Sequence, residues 1–405
     1  MNKVTSGFAL GACVPIFCNA AALEKSDQSI LAFLESNHYI EASYGELYAD
    51  VSGQVQRTDT LQQLGIQDYS TGNVVNDYHF ANVASKFQIA PQLSFGLIYD
   101  QPYGANIDYD YQPETLLGKQ QIEVTRLKFE SENLSMLVGY QPTAHWNIFA
   151  GAVYQQFAGK LDLFGANYSI LSGYQVDFKR SSGQGWLAGL SYQRPEYALK
   201  TALTYRSKIT HKSDAVESIN GTTLDFVPFD AIEIVTPQSV NLDLQTGLNS
   251  KNILYSAVRW VNWQDFEIQP HQFGTVLDYY AQISPEIVHS FNLIDYKKDQ
   301  WSAKLGLAHI LNDHWVASAD VSWDSGSGNP AGTLNPSDGM YALTLGAMYK
   351  FNSNIFAAYG VKYFHFNKAN VGKLDTNNPI TQNSTLSEVG NNSALAHGIK
   401  LGYRF

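Results

Sequence analysis

Six cations stand where they can hold an anionic group away from bulk water. Lys200, Arg206, Lys208, Lys362 and Lys400 fall on the second face of strand-like stretches whose first face is apolar, and Arg259 lies beside Trp260 and Trp263 in VRWVNW. An ammonium or guanidinium in such surroundings binds a carboxylate through charge-assisted hydrogen bonds. It serves equally well as an internal salt-bridge partner or a hydrated polar group. A second constellation is backbone chemistry: LIYDQPYGANIDY sets Pro102 and Gly104, flanked by Asp100 and Tyr103, directly after an alternating run. Proline removes a ladder donor and glycine loosens the strand, so the site is either a strand end at a loop or a kink that opens the wall of a sheet.

Other chemistries are missing. The ten histidines are scattered, with no G-x-S-x-G and no H-E-x-x-H, and GSGNPAG at 326–332 does not lie between a strand and a helix. The reading is of a non-enzyme without metal or cofactor. Both cysteines, Cys13 and Cys18, lie in an opening segment with Lys3, a short apolar core and the small-residue run ending at Ala22, the three-part pattern of a signal peptide. Residues 1–21 are therefore read as a leader, which leaves no disulfide framework behind it.

Positioning such groups requires strands. The tail ALAHGIKLGYRF puts Leu395, Ile399, Leu401, Tyr403 and Phe405 on one face and Ala394, Ala396, Gly398, Lys400 and Gly402 on the other, with His397 the one polar residue on the apolar face. SVNLDLQTGL, GWLAGLSYQ, HWVASADVSW and YALTLGAMY alternate in the same way and several end in aromatics. Short turns, such as Gln141-Pro142-Thr143-Ala144 and Leu311-Asn312-Asp313, take turns with long polar connections, giving about fourteen strands by the period-two pattern. Charged residues are only 16% of the chain, against roughly 25% in soluble domains, while aromatics reach 13%. No apolar run approaches the roughly 18 residues a membrane helix needs. The fold class expected is all-β: a transmembrane antiparallel β-barrel over 39–405, in a Gram-negative outer membrane, with outer-membrane lipid around it. A string of soluble β-sandwiches is the competing architecture. The formal charge of −11 argues against nucleic acid as a partner.

Between leader and barrel, 22–38 carries LEKSDQSILAFLESNHY, in which Ile30, Phe33 and Leu34 fit one helical face with Ser26 as its cap, and Leu23 joins them as the residues expected of a hatch. This segment either enters the barrel mouth as a plug or lies loose below it. Several strands are apolar on both faces, as in NIFAGAVYQQF and NIFAAYGVKYFHF; that implies either a packed interior or a lumen for an apolar ligand. The terminal strand ending in Phe405 is expected to pair with the first strand, and is read as the signal for the barrel-assembly machinery.

With these stretches in view the chain resembles the FadL/TodX-type transporters of long-chain fatty acids and other hydrophobic compounds. KFQIAPQLSFGLIYDQPYGANIDY (86–109), ALTYRSKITH (202–211), TPQSVNLDLQTGL with YSAVRWVNWQDF (236–266), LNPSDGMYALTLGAMYKF (334–351) and the terminal LGYRF carry the resemblance, in order along the mature chain. It implies fourteen strands, an N-terminal hatch, a kinked third strand at Asp100, Pro102, Tyr103 and Gly104, and passive uptake with sideways exit into the membrane. Lys200, Arg206, Arg259 and Lys362 are then the candidates for a ligand carboxylate. The hatch is short and lacks the family's Asn-Pro-Ala motif; Asn329-Pro330-Ala331 matches in letters alone. The rival functions are a general porin for polar solutes and a structural or adhesin-like barrel.

Overall fold

The computed structural model describes residues 23–55, 69–109, 124–165, 168, 171–225, 227, 230–284, 292–329, 331, 332, 334, 336–372, 385–390 and 392–405; the expected leader lies outside them. The wall is a closed antiparallel barrel of 14 strands. In chain order these are β1 (Tyr39–Asp50), β2 (Tyr78–Ala90), β3 (Leu93–Asp100, resuming at Gly104–Asp108), β4 (Val124–Tyr140), β5 (Trp146–Phe164), β6 (Tyr174–Arg194), β7 (Leu199–Arg206, continuing as Ile209–Ser213 and Ala215–Ile219), β8 (Ile232–Thr236 and Ser239–Gly247), β9 (Asn252–Val261), β10 (Gln300–Ile310), β11 (Trp315–Asp324), β12 (Met340–Lys350), β13 (Ile355–Phe366) and β14 (Ser393–Arg404). Closure is made by β14 on β1, from Tyr39↔Arg404 to Asp50↔Ser393 without a slip, so that neither terminal strand is left as an edge.

Alternation does what the sequence pattern predicts. Outward residues such as Leu203, Leu242, Val258, Leu305, Val321, Leu343 and Leu401 are exposed large hydrophobics, which in water would be an untenable surface. Exposed aromatics rim this band at two heights: Trp146, Tyr197, Trp315, Tyr403 and Phe405 near the short turns, and Tyr48, Trp186, Trp301, Trp323 and Tyr363 near the long connections. Trp315 and Trp323 on β11 are eight residues apart. At about 3.3 Å per residue and a tilt of about 40° this is roughly 20 Å of height, close to the apolar band of outer-membrane barrels. His397, the polar exception in the tail, faces Glu46 directly across the β1–β14 seam with Nε2 3.6 Å from Oε2. Tyr44 and Tyr48 donate their hydroxyls to the same carboxylate.

Three expectations are corrected. β5 and β6 are longer than their lipid-facing pattern, because above the band the outward face turns polar, as at Lys160 and Lys179, while Leu161, Leu163, Val176 and Phe178 stay buried inside and the ladder continues. The connection at 268–297, read as a plain loop, holds helix α1 (His271–Ile283). Its amides at Gln272 and Phe273 are capped by Glu217 of the β7 extension, at 3.1 and 2.7 Å, and Tyr174 donates to the same carboxylate. The carboxylate thus meets the positive end of the helix. The third correction is Ser26, which caps no helix: its hydroxyl binds Asp100, and the only helical turn in the segment is the 3₁₀ turn Leu31–Leu34. Glu217→Ala is expected to cost α1 about 1–2 kcal/mol of docking; faster hydrogen exchange at the Gln272 and Phe273 amides checks it.

Candidate functional site

The ladder between β2 and β3 runs from Ala90↔Leu93 to Val83↔Tyr99 and stops. From Asp100 to Gly104 β3 uses four steps while β4 takes three, from Asn133 to Glu130. One residue too many forces a bulge, and Pro102 supplies no amide to mend it. β4 follows the bend, because Ser131 replaces the lost ladder: its hydroxyl and amide bond the Tyr103 amide and carbonyl at 2.9 and 3.0 Å. β2 does not follow. The Ala81 amide reaches the bend through the Gln101 side chain at 3.1 Å rather than through its backbone. Backbone pairing resumes above, where Asn76 donates to Asn106 at 2.9 Å. The β2–β3 ladder is therefore interrupted at the bend of β3, a gap in strand pairing hereafter called the window.

The N-terminal segment closes this window from inside by adding to the freed edge. Gly104 donates to the Leu23 carbonyl at 2.8 Å and Lys25 donates to the Pro102 carbonyl at 2.8 Å. Gly104 is needed here, since a Cβ would lie 2.9 Å from the Phe129 carbonyl oxygen and against the end of the Lys25 side chain, which crosses the gap toward the ring of Tyr78. Tyr103 turns into the lumen, edge-on to Trp263. The segment then crosses the barrel. Lower down, Phe33 (0% exposed) plugs the base, standing edge-on to Phe149 at 6.1 Å and over Gly139, where a Cβ would lie 2.9 Å from its ring. Gly96 is the other bare patch beneath that ring. Ile30 and Leu34 are buried beside it.

Three of the four candidate cations converge on this segment. Arg259 (3% exposed) binds Glu24 Oε1 through Nη2 at 2.6 Å and Nε at 3.0 Å, Gln28 Oε1 at 3.0 Å and Asn241 Oδ1 at 2.6 Å. Arg206 donates to the Gln28 carbonyl at 2.9 Å. Lys200 donates to the Leu34 carbonyl at 2.9 Å, with Glu35 4.0 Å away. Lys362 does not join them; it lies over the ring of Phe364 at 4.8 Å. Lys208 is exposed at a break in β7 rather than lumenal, and Lys400 pairs with Glu41 at 3.3 Å. What the sequence reading missed is the counter-ion, Glu24, whose Oε2 is buried and unbonded among the described groups.

The segment divides the interior. One cavity, of about 50 Å³, is lined by Leu23, Glu24, Leu47, Tyr78, Asn106 and Phe366. Another, of about 40 Å³, is lined by Asp27, Leu31, Glu41, Phe80, Asp100 and Lys400. Both touch β3 at its bend. Neither of these two reaches the roughly 150 Å³ that holds a benzene.

The family model described as outer membrane protein transport protein (OMPP1/FadL/TodX) matches residues 5–405. The chain belongs to this family. Among solved structures, a FadL homologue from Pseudomonas aeruginosa aligns with a TM-score of 0.69 at 13% identity, covering 99% of each chain. The toluene transporter TbuX from Ralstonia pickettii gives 0.59 at 13% identity over 98% of this chain and 99% of its own. TodX, a toluene transporter from P. putida, gives 0.60 at 11% identity over 93% and 92%. At these identities the likeness is one of fold. No curated protein sequence matches the chain. As a FadL/TodX barrel it is an outer-membrane protein of a family that carries hydrophobic compounds, and the window, the bend and the lumenal segment occupy one level of its wall.

Proposed function

We propose that the barrel takes up long-chain fatty acids or similar apolar compounds passively, and releases them sideways through the window between β2 and β3 once Leu23–Ser26 leaves the β3 edge. The observation that carries this reading is the wall discontinuity at Asp100–Gly104, sealed by a peptide segment rather than by the barrel's own ladder. An aliphatic chain crossing a water-filled pore would expose about 0.8 kcal/mol per methylene; an apolar lumen opening into hydrocarbon avoids that cost and needs no energy source.

The cations act through the segment in this reading. Glu24 occupies Arg259 as a ligand carboxylate would, with the same chemistry and geometry of approach. An incoming carboxylate that takes its place removes the strongest tie holding the segment. Arg206 and Lys200 hold the segment's backbone carbonyls and release them with it, and Lys362 stays outside this path. The sequence end at Phe405, which stacks on His38 and Tyr403 at 5.2 Å each, is proposed as the contact for the assembly machinery.

Deleting Pro102 tests the exit. It removes the extra residue, so that Gly104 shifts into line with Glu130 in the same register as Asp100 with Asn133 and β3 straightens. Uptake of a fluorescent long-chain fatty acid should fall at least tenfold while the barrel keeps its heat-modifiable gel migration. Undiminished uptake by the folded variant would exclude lateral exit here. A large steady ion current from the native protein in a planar bilayer would favour a porin instead.

A further inference from the structure

A second break in the wall lies three strands away, between β6 and β7. Arg206 pairs with Leu187, and Ala215 pairs with Phe178, nine residues further along both strands (206 to 215, 187 to 178). The register is thus unbroken, yet among the described residues no strand pairing joins the two stretches between. The margins are held by Ser207 donating to the Trp186 carbonyl below and Lys179 donating to the Asp214 carbonyl above, each at 2.9 Å.

The physical cause is a mismatch of faces. β7 changes face at Ser207–Lys208: Ala202, Thr204 and Arg206 are buried before it, Ile209, His211 and Ser213 after it. β6 changes face higher up, at its bulge against β5 between Phe157 and Gly159, from Leu187 and Gly183 to Phe178 and Val176. Between these two heights, residues that stand opposite one another point to opposite sides of the sheet and cannot share a ladder. β7 instead keeps to β8, as Ile209–Ser213 with Ile232–Thr236, and passes across the lumenal side of β6. There Gly183 and Gly185 leave it room: a Cβ on either would lie 2.6 Å from the Ile209 side chain. Gln155 pins the ribbon, bonded by His211 Nε2 and Thr236 Oγ1 at 2.7 Å each.

Phe157 stands against His211 at 5.7 Å, with Phe178 and Phe129 beyond it; Phe129 and Phe157 meet edge-on at 4.3 Å, while Ile209 packs lower down in the cluster of Leu187 and Phe149. Phe129 is also the cross-strand neighbour of Ala105, immediately above the bend of β3. An apolar track therefore runs from beside His211, in the upper part of the β6–β7 break, to the bend of β3. Their heights differ. The β2–β3 window lies below the outer aromatic rim, since Tyr78 at its top is opposite Leu47, one residue short of Tyr48. The β6–β7 break lies above the rim residue Trp186.

We propose that the β6–β7 break, closed by Ile209, is the ligand entrance: it admits the apolar chain of a single-chain amphiphile lying in the headgroup layer of the outer leaflet. This rests on the reading of the lower window as the exit. The test is photolabelling in proteoliposomes with palmitic acid carrying a terminal diazirine, together with uptake of the same probe. The expected result is label on Ser181–Gly185 and Ile209, a severalfold faster initial uptake for Ile209→Ala, and a severalfold slower one for Ile209→Trp. In the Pro102 deletion, label at the β6–β7 break should persist while uptake falls at least tenfold. If label appears in the cavity beside Leu23 and Tyr78 but never on 181–185 or 209, and both Ile209 variants take up probe at the native rate, the entrance is elsewhere. Continued uptake by the Pro102 deletion would refute the exit alone, because the labelling at β6–β7 is read separately.

Discussion

Arg259→Ala should free the N-terminal segment from the lumen and leave the barrel standing. Arg259 gives Glu24 two bonds and ties Gln28 and Asn241 into the same node. Removing one partner of a buried, hydrogen-bonded pair costs about 3–5 kcal/mol, because the remaining carboxylate keeps its desolvation penalty. Glu24 escapes that penalty only by leaving with its segment. The loss is therefore limited by the segment's own docking free energy, and undocking is the cheapest relaxation. Hydrogen exchange reports it directly: the Lys25 and Gly104 amides, bonded across the window, should exchange about a hundredfold faster or more, since each 1.4 kcal/mol is a factor of ten. The barrel ladder far from the window, for example β11 with β12, should be unaffected. Glu24→Gln in the Arg259→Ala background removes the stranded charge and should restore much of the protection. Unaltered exchange at Lys25 in the single variant would show that the ion pair does not hold the segment.

Phe33→Ala should have the next largest effect, and of a different kind. The ring sits on bare backbone at Gly96 and Gly139 and against Phe149. Truncating a fully buried phenylalanine costs about 3–5 kcal/mol, part of it for the cavity left behind. Here that cavity lies between lumen and periplasmic turns, over the bare backbone of Gly96 and Gly139. The expected readout is electrical: a near-silent native barrel gains discrete ion conductance in the variant, while Phe33→Leu restores most of the block. Equal current from native and Phe33→Ala proteins would mean that the base is sealed by something other than this ring.

Much of the wall was legible because its cause is local. Period-two alternation, as in Trp315 to Trp323, follows from one strand meeting lipid on one side, and the bend at Pro102 is written in a residue that cannot donate. The N-terminal segment was legible only as an apolar cluster around Phe33, while the pairing of its Glu24 with Arg259 was not, because the two are 235 residues apart and Glu24 is one of three carboxylates in its stretch. Lys362 shows the converse: correct facing without convergence, since periodicity gives the side of a strand and not what arrives opposite it. Helix α1 escaped notice because its cap, Glu217, comes from another element rather than from its own first turn. The β6–β7 break was hidden for a related reason: each strand alternates well alone, and only their changes of face at different heights separate them. Two signals were in plain sight. Gly96 and Gly139, bare positions inside otherwise apolar strands, mark a close approach, and so do Gly183 and Gly185.

The seam that joins Tyr39 to Arg404 has a temporal meaning. The first strand to be made has, for one of its two neighbours, the last. Loop-closure entropy grows only slowly with length, but such distant contacts make folding slow, and until the final residues arrive β1 presents a sticky, unpartnered margin. A circularly permuted chain that joins the present ends and opens at the short turn Leu311–Asn312–Asp313 would turn this longest-range meeting into a hairpin, and is expected to refold into detergent micelles to the same final shape by a different order of events.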